Sequence, residues 1–287
     1  MQPIDAQYEF DTEVGPHAPD LYAFSSLADG VEGFAAVGES QIARYHEQGF
    51  MVVRNAFTST EVRAAIDGLT DLVAGKNPDF KIIQYRSEVR DVLHTLSLEE
   101  KMDNIRKLGT FTEFEPRLKA IAEHPQLIAL LTKLLSAPPD LFQSMALMKP
   151  PDGREKPWHQ DHAYFDLPPD IKVVGVWIAL DRSDAENGCM RVLPGWHARG
   201  PFTHFQLRDW QICDEQMNGQ QPERVAVPLE PGGCLLFDSY LPHGTPVNRS
   251  RRRRKAIQFH YCPAQTRRTK PEERLAVFGS EGKDVSC

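Results

Sequence analysis

From Leu141 onward the apolar positions fall in short runs rich in β-branched and aromatic residues: "LFQSMALMKP", "IKVVGVWIALD", "CMRVLP", "VAVPLEPGGCLLFD" and "RKAIQFHY". Turn clusters such as "PPDG", "ENG" and "EPGG" separate them, and many short strands punctuated in this way predict a β-sandwich or barrel. Upstream the period changes. Within 113–136, "RLKAIAEHPQLIALLTKLL" keeps an apolar stripe at helical spacing, and a further helix is expected over 97–106. "ESQIARYHEQGFMVVRNAF" reads as a helix, a glycine and a short strand around Met51 to Arg54. Thr58 and Glu61 have capping-box spacing and open a helix through about Leu72.

These patterns predict a mainly β chain with helical support, an α+β domain whose core is a jelly-roll-like barrel. Residues 1–38 read as an acidic, irregular arm and 39–270 as one domain, with a helical layer at 39–140 and a β core at 141–262. Residues 271–287 form a tail. The stretch 195–224 reads as a long insertion between strands, a common place for substrate contacts.

Charge changes this picture mainly at the arm. The chain has 287 residues and a net charge of −7, but no Lys or Arg precedes Arg44 while eight Asp or Glu do. The net charge argues against a general nucleic-acid binder, although the acidity belongs to the arm and the remainder is close to neutral. The first residues, "MQPIDAQYEFDTEVG", resemble neither a secretory signal nor a mitochondrial leader. The longest apolar runs are too short to span a bilayer, and "DVSC" is not a peroxisomal tripeptide. Five cysteines without a Cys-x-x-Cys pair give no sign of a disulfide framework, so a cytoplasmic protein without membrane attachment is expected.

Candidate chemistry lies in "WHQDHAY" (158–164) and "LPHGT" (241–245). In an extended chain alternate side chains share a face, which puts His159 and Asp161 together. His243 follows a predicted strand at a turn marked by Pro242 and Gly244. Two histidines and a carboxylate are the donor set of the facial triad in non-haem Fe(II) oxygenases. Taken alone, His-x-Asp also describes a surface histidine beside an aspartate, and cupin-like barrels bind Zn or Mn with similar ligands. A co-substrate such as 2-oxoglutarate would chelate the metal and leave a second carboxylate for a planar guanidinium. In "NRSRRRRKAIQFHY" (248–261), Arg254, Ala256, Gln258 and His260 share one face of the strand. Lys255, Ile257, Phe259 and Tyr261 share the other, so Arg254 is the inward arginine and Arg249 to Arg253 decorate the turn.

Taken in order, "HQDHAYF", "VWIALD", "NGCMRVLPGWH", "HGTPVN" and "RKAI" resemble successive motifs of the phytanoyl-CoA dioxygenase family. That resemblance implies a double-stranded β-helix and an Fe(II)- and 2-oxoglutarate-dependent oxygenase that consumes O2 and releases succinate and CO2 while hydroxylating a small organic molecule. It implies His159, Asp161 and His243 as iron ligands. It further implies Arg254 with the hydroxyl of Thr245 at the distal carboxylate of 2-oxoglutarate, and Trp177, Met145 and Lys107 along the co-substrate pocket. Trp177 and Met145 also fit an ordinary core, and Lys107 an ordinary surface. Related halogenases carry a small residue in place of the carboxylate, so Asp161 favours hydroxylation. Two other readings use the same residues: a metal-binding barrel without catalysis, structural or sensing, and an oxygenase directed at nucleic acid through 249–255.

Overall fold

The alternation in the final long strand organises the molecule. Ile257, Phe259 and Tyr261 bury one face against helices, while Ala256 buries the other between two sheets. The same split recurs along the neighbouring strands: Val174, Val176 and Ile178 face the helices, whereas Trp177 and Ala179 face inward. Sheets with both faces covered read as nearly continuous apolar runs, which is why "VVGVWIAL" has no polar residue.

The computed structural model describes residues 8–11, 15–219, 223–279 and 287. Its strands are β1 (Glu9–Phe10), β2 (Ser26–Leu27), β3 (Val31–Glu32), β4 (Phe50–Arg54), β5 (Ile83–Tyr85), β6 (Ile105–Gly109), β7 (Pro139–Lys149), β8 (Lys156–His159), β9 (Val174–Ala179), β10 (Met190–Val192), β11 (His204–Gln206), β12 (Trp210–Ile212), β13 (Val225–Val227), β14 (Cys234–Asp238), β15 (His243–Thr245) and β16 (Arg254–Pro263). Helices are α1 (Glu39–Gln48), α2 (Ser59–Val73), α3 (Leu98–Asp103), α4 (Pro116–Ala122), α5 (Pro125–Leu135), α6 (Asp214–Gly219) and α7 (Pro271–Phe278). A nine-stranded sheet runs β1-β5-β6-β7-β16-β9-β14-β4-β3, and a five-stranded sheet runs β2-β13-β10-β15-β8. They face each other as the two halves of a jelly roll, with Val52, Trp177, Val192, Val227, Leu235 and Phe237 between them. Leucines of α4 and α5 pack on the outer face of the large sheet.

Several local expectations are met, and others are corrected. Thr58 caps α2 as expected: its Oγ1 accepts from Glu61 N at 3.3 Å and the Glu61 carboxylate accepts from Thr58 N at 2.7 Å. The helix expected over 97–106 stops at Asp103, because 105–109 joins the large sheet as β6. The helix expected over 113–136 is two helices, with Pro125 starting the second, since the residue before a proline is driven out of the helical region. Within the arm expected to be irregular, β1, β2 and β3 pair with β5, β13 and β4. Cys213 and Cys287 are joined in a disulfide, against the expectation of none; cysteine count and short-range spacing carry no information about partners 74 residues apart. Among the described residues no helix is long and apolar enough to cross a membrane.

Gly175 ties this packing to the interior. A Cβ at this position would lie 2.4 Å from the Phe237 ring, and that ring lies edge-on to His243 at a centroid distance of 4.7 Å. Gly175→Ala is therefore expected to lower stability by about 1–3 kcal/mol through overpacking, read as a lower urea midpoint.

Candidate metal and co-substrate site

His159 closes β8 and His243 opens β15; the two strands pair with these residues directly opposite each other. The imidazole centroids are 4.2 Å apart. Each ring is oriented by its own backbone. His159 Nδ1 lies 2.7 Å from Pro157 O and His243 Nδ1 2.9 Å from Leu241 O. Both Nδ1 atoms must therefore carry the proton, which leaves both Nε2 lone pairs free as ligands. These nitrogens converge on Asp161 Oδ1, at 3.2 Å from His159 and 3.6 Å from His243. The chain leaves the strand after His159, and Asp161 starts a 3-10 turn. The pairing of His159 with Asp161 thus depends on a turn rather than on strand alternation alone.

Three ligand atoms within 4.8 Å of one another, all on buried residues, can hold one metal ion. The other carboxylate oxygen, Asp161 Oδ2, accepts from His260 Nε2 at 2.7 Å and Gln258 Nε2 at 3.0 Å. It is spent on those donors, which leaves Oδ1 to face the histidines. Charge supports the same state: the nearby His243 and His260 hold the Asp161 carboxyl well below the usual range against the opposing effect of burial. Burial and the adjacent His159 lower His243 to about 3 against the pull of Asp161. Two imidazoles with inward Nε2 atoms and one carboxylate are the donors that a divalent first-row metal takes, so the residues fit the ion.

His260 shares the inward face of Arg254 as the alternation predicts, but its bond to Asp161 depends on a contact across 99 residues that strand spacing cannot reveal. Orienting partners of this kind typically matter 10–100-fold. His260→Ala is expected to weaken metal affinity by about that factor, measured by chelator competition, while His159 and His243 remain in place.

Arg254 lies opposite Lys149 in the β16–β7 ladder. It is buried, with its guanidinium 5.3 Å from the Trp177 ring centroid. Its Nη1 donates to Gly188 O, and its Nε has no partner among the described residues. Burial pulls the guanidinium down to about 10. A buried cation with an unspent donor is what an incoming carboxylate can satisfy. Lys149, absent from the sequence-based set, occupies the same corner. Its Nζ donates to Thr245 Oγ1 at 2.7 Å and to Pro246 O at 2.6 Å.

A cavity of about 330 Å³ joins these groups. His159, Asp161, His243, Thr245 and Arg254 line it, as do Trp177, Met145 and Lys107. Trp177 serves the inter-sheet core as well, and Lys107 is part of the cavity wall rather than of a plain outer surface. Three further residues of the quoted motifs, Tyr164, Gln160 and Asn187, divide between cavity and scaffold. Tyr164 lines the cavity. Gln160 is scaffold, donating to Gly200 O and Tyr240 O and accepting from Phe202 N. Asn187 braces its own turn through Arg182 O and Asp184 N. The insertion delivers Asp209, which pairs with Lys156 at 2.9 Å on the cavity wall. Much of the charge run is spent elsewhere: Arg252 pairs with Asp184 and Glu186, and Arg253 with Asp103 and Glu99.

Solved structures share this architecture. EctD from S. alaskensis, solved with 2-oxoglutarate and 5-hydroxyectoine, superposes with a TM-score of 0.67 at 22% identity, covering 91% of this chain and 86% of that one. The non-heme alpha ketoglutarate dependent carbocyclase SnoK from nogalamycin biosynthesis gives 0.64 at 20% identity, covering 85% and 90%. These share the fold. In sequence, the peroxisomal phytanoyl-CoA dioxygenase of Bos taurus is 28% identical over 234 residues, 77% of this chain and 67% of that protein. A probable phytanoyl-CoA dioxygenase of Caenorhabditis elegans is 26% identical over 233 residues, 76% and 73%. The family model for phytanoyl-CoA dioxygenase matches residues 45–256, and with that span the chain belongs to the phytanoyl-CoA dioxygenase family, as a 2-oxoglutarate-dependent dioxygenase on a jelly-roll fold.

Proposed function

We propose that this enzyme hydroxylates a small organic molecule, with His159, Asp161 and His243 holding Fe(II) and Arg254 and Thr245 receiving the distal carboxylate of 2-oxoglutarate. The observation that carries the reading is the orientation of the triad: backbone acceptors fix both imidazoles with Nε2 inward, and the three ligand atoms border the cavity that contains the buried, partly unsatisfied Arg254. When bound, iron and 2-oxoglutarate supply the oxidative chemistry that couples O2 to succinate, CO2 and an oxidised product.

The chain's own residues select and hold the reactants. Arg254 and Lys149 set a positive end to the cavity, and Trp177 and Met145 form an apolar wall along the space between that end and the triad. Lys107, two strands from Ala256 through Leu147, reaches the same space and offers a second cation to the co-substrate. Gln258 and His260 keep Asp161 ionised and aimed. The carboxylate at Asp161 fills the ligand position with an oxygen donor, which favours hydroxylation over transfer of a halide.

The test is succinate formation from 2-oxoglutarate with Fe(II), ascorbate and a panel of candidate substrates. Succinate release that requires iron and rises with one substrate supports the reading. A protein that binds metal but forms no succinate under any of them is a metal-binding barrel without catalysis.

A further inference from the structure

Strands β5 and β6 fall out of step in the middle of their pairing. Gln84 pairs with Lys107, but the next residue, Tyr85, pairs with Ile105, leaving Arg106 as the extra residue of a bulge. In an unbroken strand Arg106 and Lys107 would face opposite sides. The bulge instead brings both to the cavity that contains His159, Asp161 and His243, as bulges beside active sites do when they re-aim a side chain. Arg154, in the loop before β8, lines the same cavity. Arg106 and Arg154 also border an adjoining cavity of about 260 Å³.

Asp11 approaches both guanidinium groups. Asp11 Oδ2 lies 3.8 Å from Arg106 Nε and 3.7 Å from Arg154 Nε, and Asp11 Oδ1 accepts from Ser87 N at 2.8 Å. The Arg106 side chain is only 18% exposed. Its contact with Asp11 is too long for a hydrogen bond and it makes none among the described residues, so N–H donors of the guanidinium remain for a ligand. Burial and the neighbouring Arg154 lower its pKa to about 10, a shift that a bound anion would oppose. The other acids of the cavity are committed: Glu155 to Tyr22 and Arg208, Asp209 to Lys156, and Asp161 to His260 and Gln258.

We propose that Arg106 and Arg154 dock an anionic group of the primary substrate, a carboxylate, phosphate or phosphonate, beside the metal-ligand cluster. The assignment rests on reading that cluster as the iron site. Two guanidiniums facing one small cavity can grip an oxyanion from two sides with charge-assisted hydrogen bonds. Lys107 points from the same bulge toward the row of Leu147 and Ala256, next to Arg254, and stays with the co-substrate.

The experiment uses the full chain loaded with Ni(II), which does not turn over, and saturated with 2-oxoglutarate. Inorganic phosphate, methylphosphonate and acetate are titrated separately by calorimetry, and the probe that binds names the oxyanion class. At least one should bind saturably. Arg106→Gln and Arg154→Gln should weaken it by about 10- to 100-fold, Arg106→Lys should retain part of it, and 2-oxoglutarate affinity should be unchanged in all three. The proposal is overturned if the wild type binds none of the probes, if Arg106→Gln binds them equally well, or if the same variant loses 2-oxoglutarate in parallel. If 2-oxoglutarate fails to bind the Ni(II) protein while phosphate binds and is lost in Arg106→Gln, the oxygenase reading fails and the anion site stands.

Discussion

Asp161→Ala is expected to reduce iron-dependent 2-oxoglutarate turnover by more than about 100-fold, beyond the 10–100-fold typical of an orienting partner. Asp161 is the single anion of the triad, and both of its oxygens are used: one converges with the two imidazole Nε2 atoms and the other accepts from His260 and Gln258. Alanine removes the charge that offsets a divalent ion and strands two buried donors. The stranded donors cost about 1–3 kcal/mol of stability each, less whatever water recovers. Asp161→Asn separates the two effects, because it keeps the shape and one carbonyl acceptor but not the charge. Succinate formation and metal affinity by chelator competition should fall together in both variants. Turnover that survived Asp161→Ala would mean that the iron sits elsewhere.

How far this site was legible in advance depends on which physical rule each residue obeys. The inward set on β16 could be read because its two faces differ in chemistry: Ile257, Phe259 and Tyr261 on one, Arg254, Gln258 and His260 on the other. A one-residue slip would bury the wrong set, so the register is strongly specified. Thr58 and Glu61 could be read because a capping box is local. Arg106 could not, since it reaches the cavity only through a bulge, and a bulge is a property of two strands rather than of one sequence. The same holds for Lys149, whose place next to Thr245 comes from pairing with β16 and from contacts across 96 residues. Ile105 and Arg106 show tertiary context overriding a helical expectation: Ile105 buries itself in the sheet–helix core as β6 pairs with β5 and β7. Asp161 was identified through strand alternation, yet the chain reaches its position by a 3-10 turn. The chemistry of the three donors was therefore better determined by sequence than the backbone that delivers them.

Arg254→Gln is expected to raise the 2-oxoglutarate KM by about 30-fold or more, because truncating one side of a buried charge pair costs about 2–5 kcal/mol. The rate at saturating co-substrate should fall much less, since the proposed partner of Arg254 is the far end of the co-substrate and not the metal ligands. The fold should tolerate the change. Burial and, after it, the neighbouring Arg254 push Lys149 well below its ordinary range, so losing the guanidinium relieves a like-charge repulsion. Arg251→Ala is the matched control. It removes the same charge from the same run of basic residues, but from an exposed position three residues earlier, and its effect on KM should stay within about twofold, as for most surface substitutions. A general electrostatic role for the run would make the two variants alike. Unequal responses, with Arg254 far larger, are what a single inward guanidinium predicts. An Arg254 variant with unchanged KM would move the distal carboxylate to another cation of the cavity, with Lys107 the next to test.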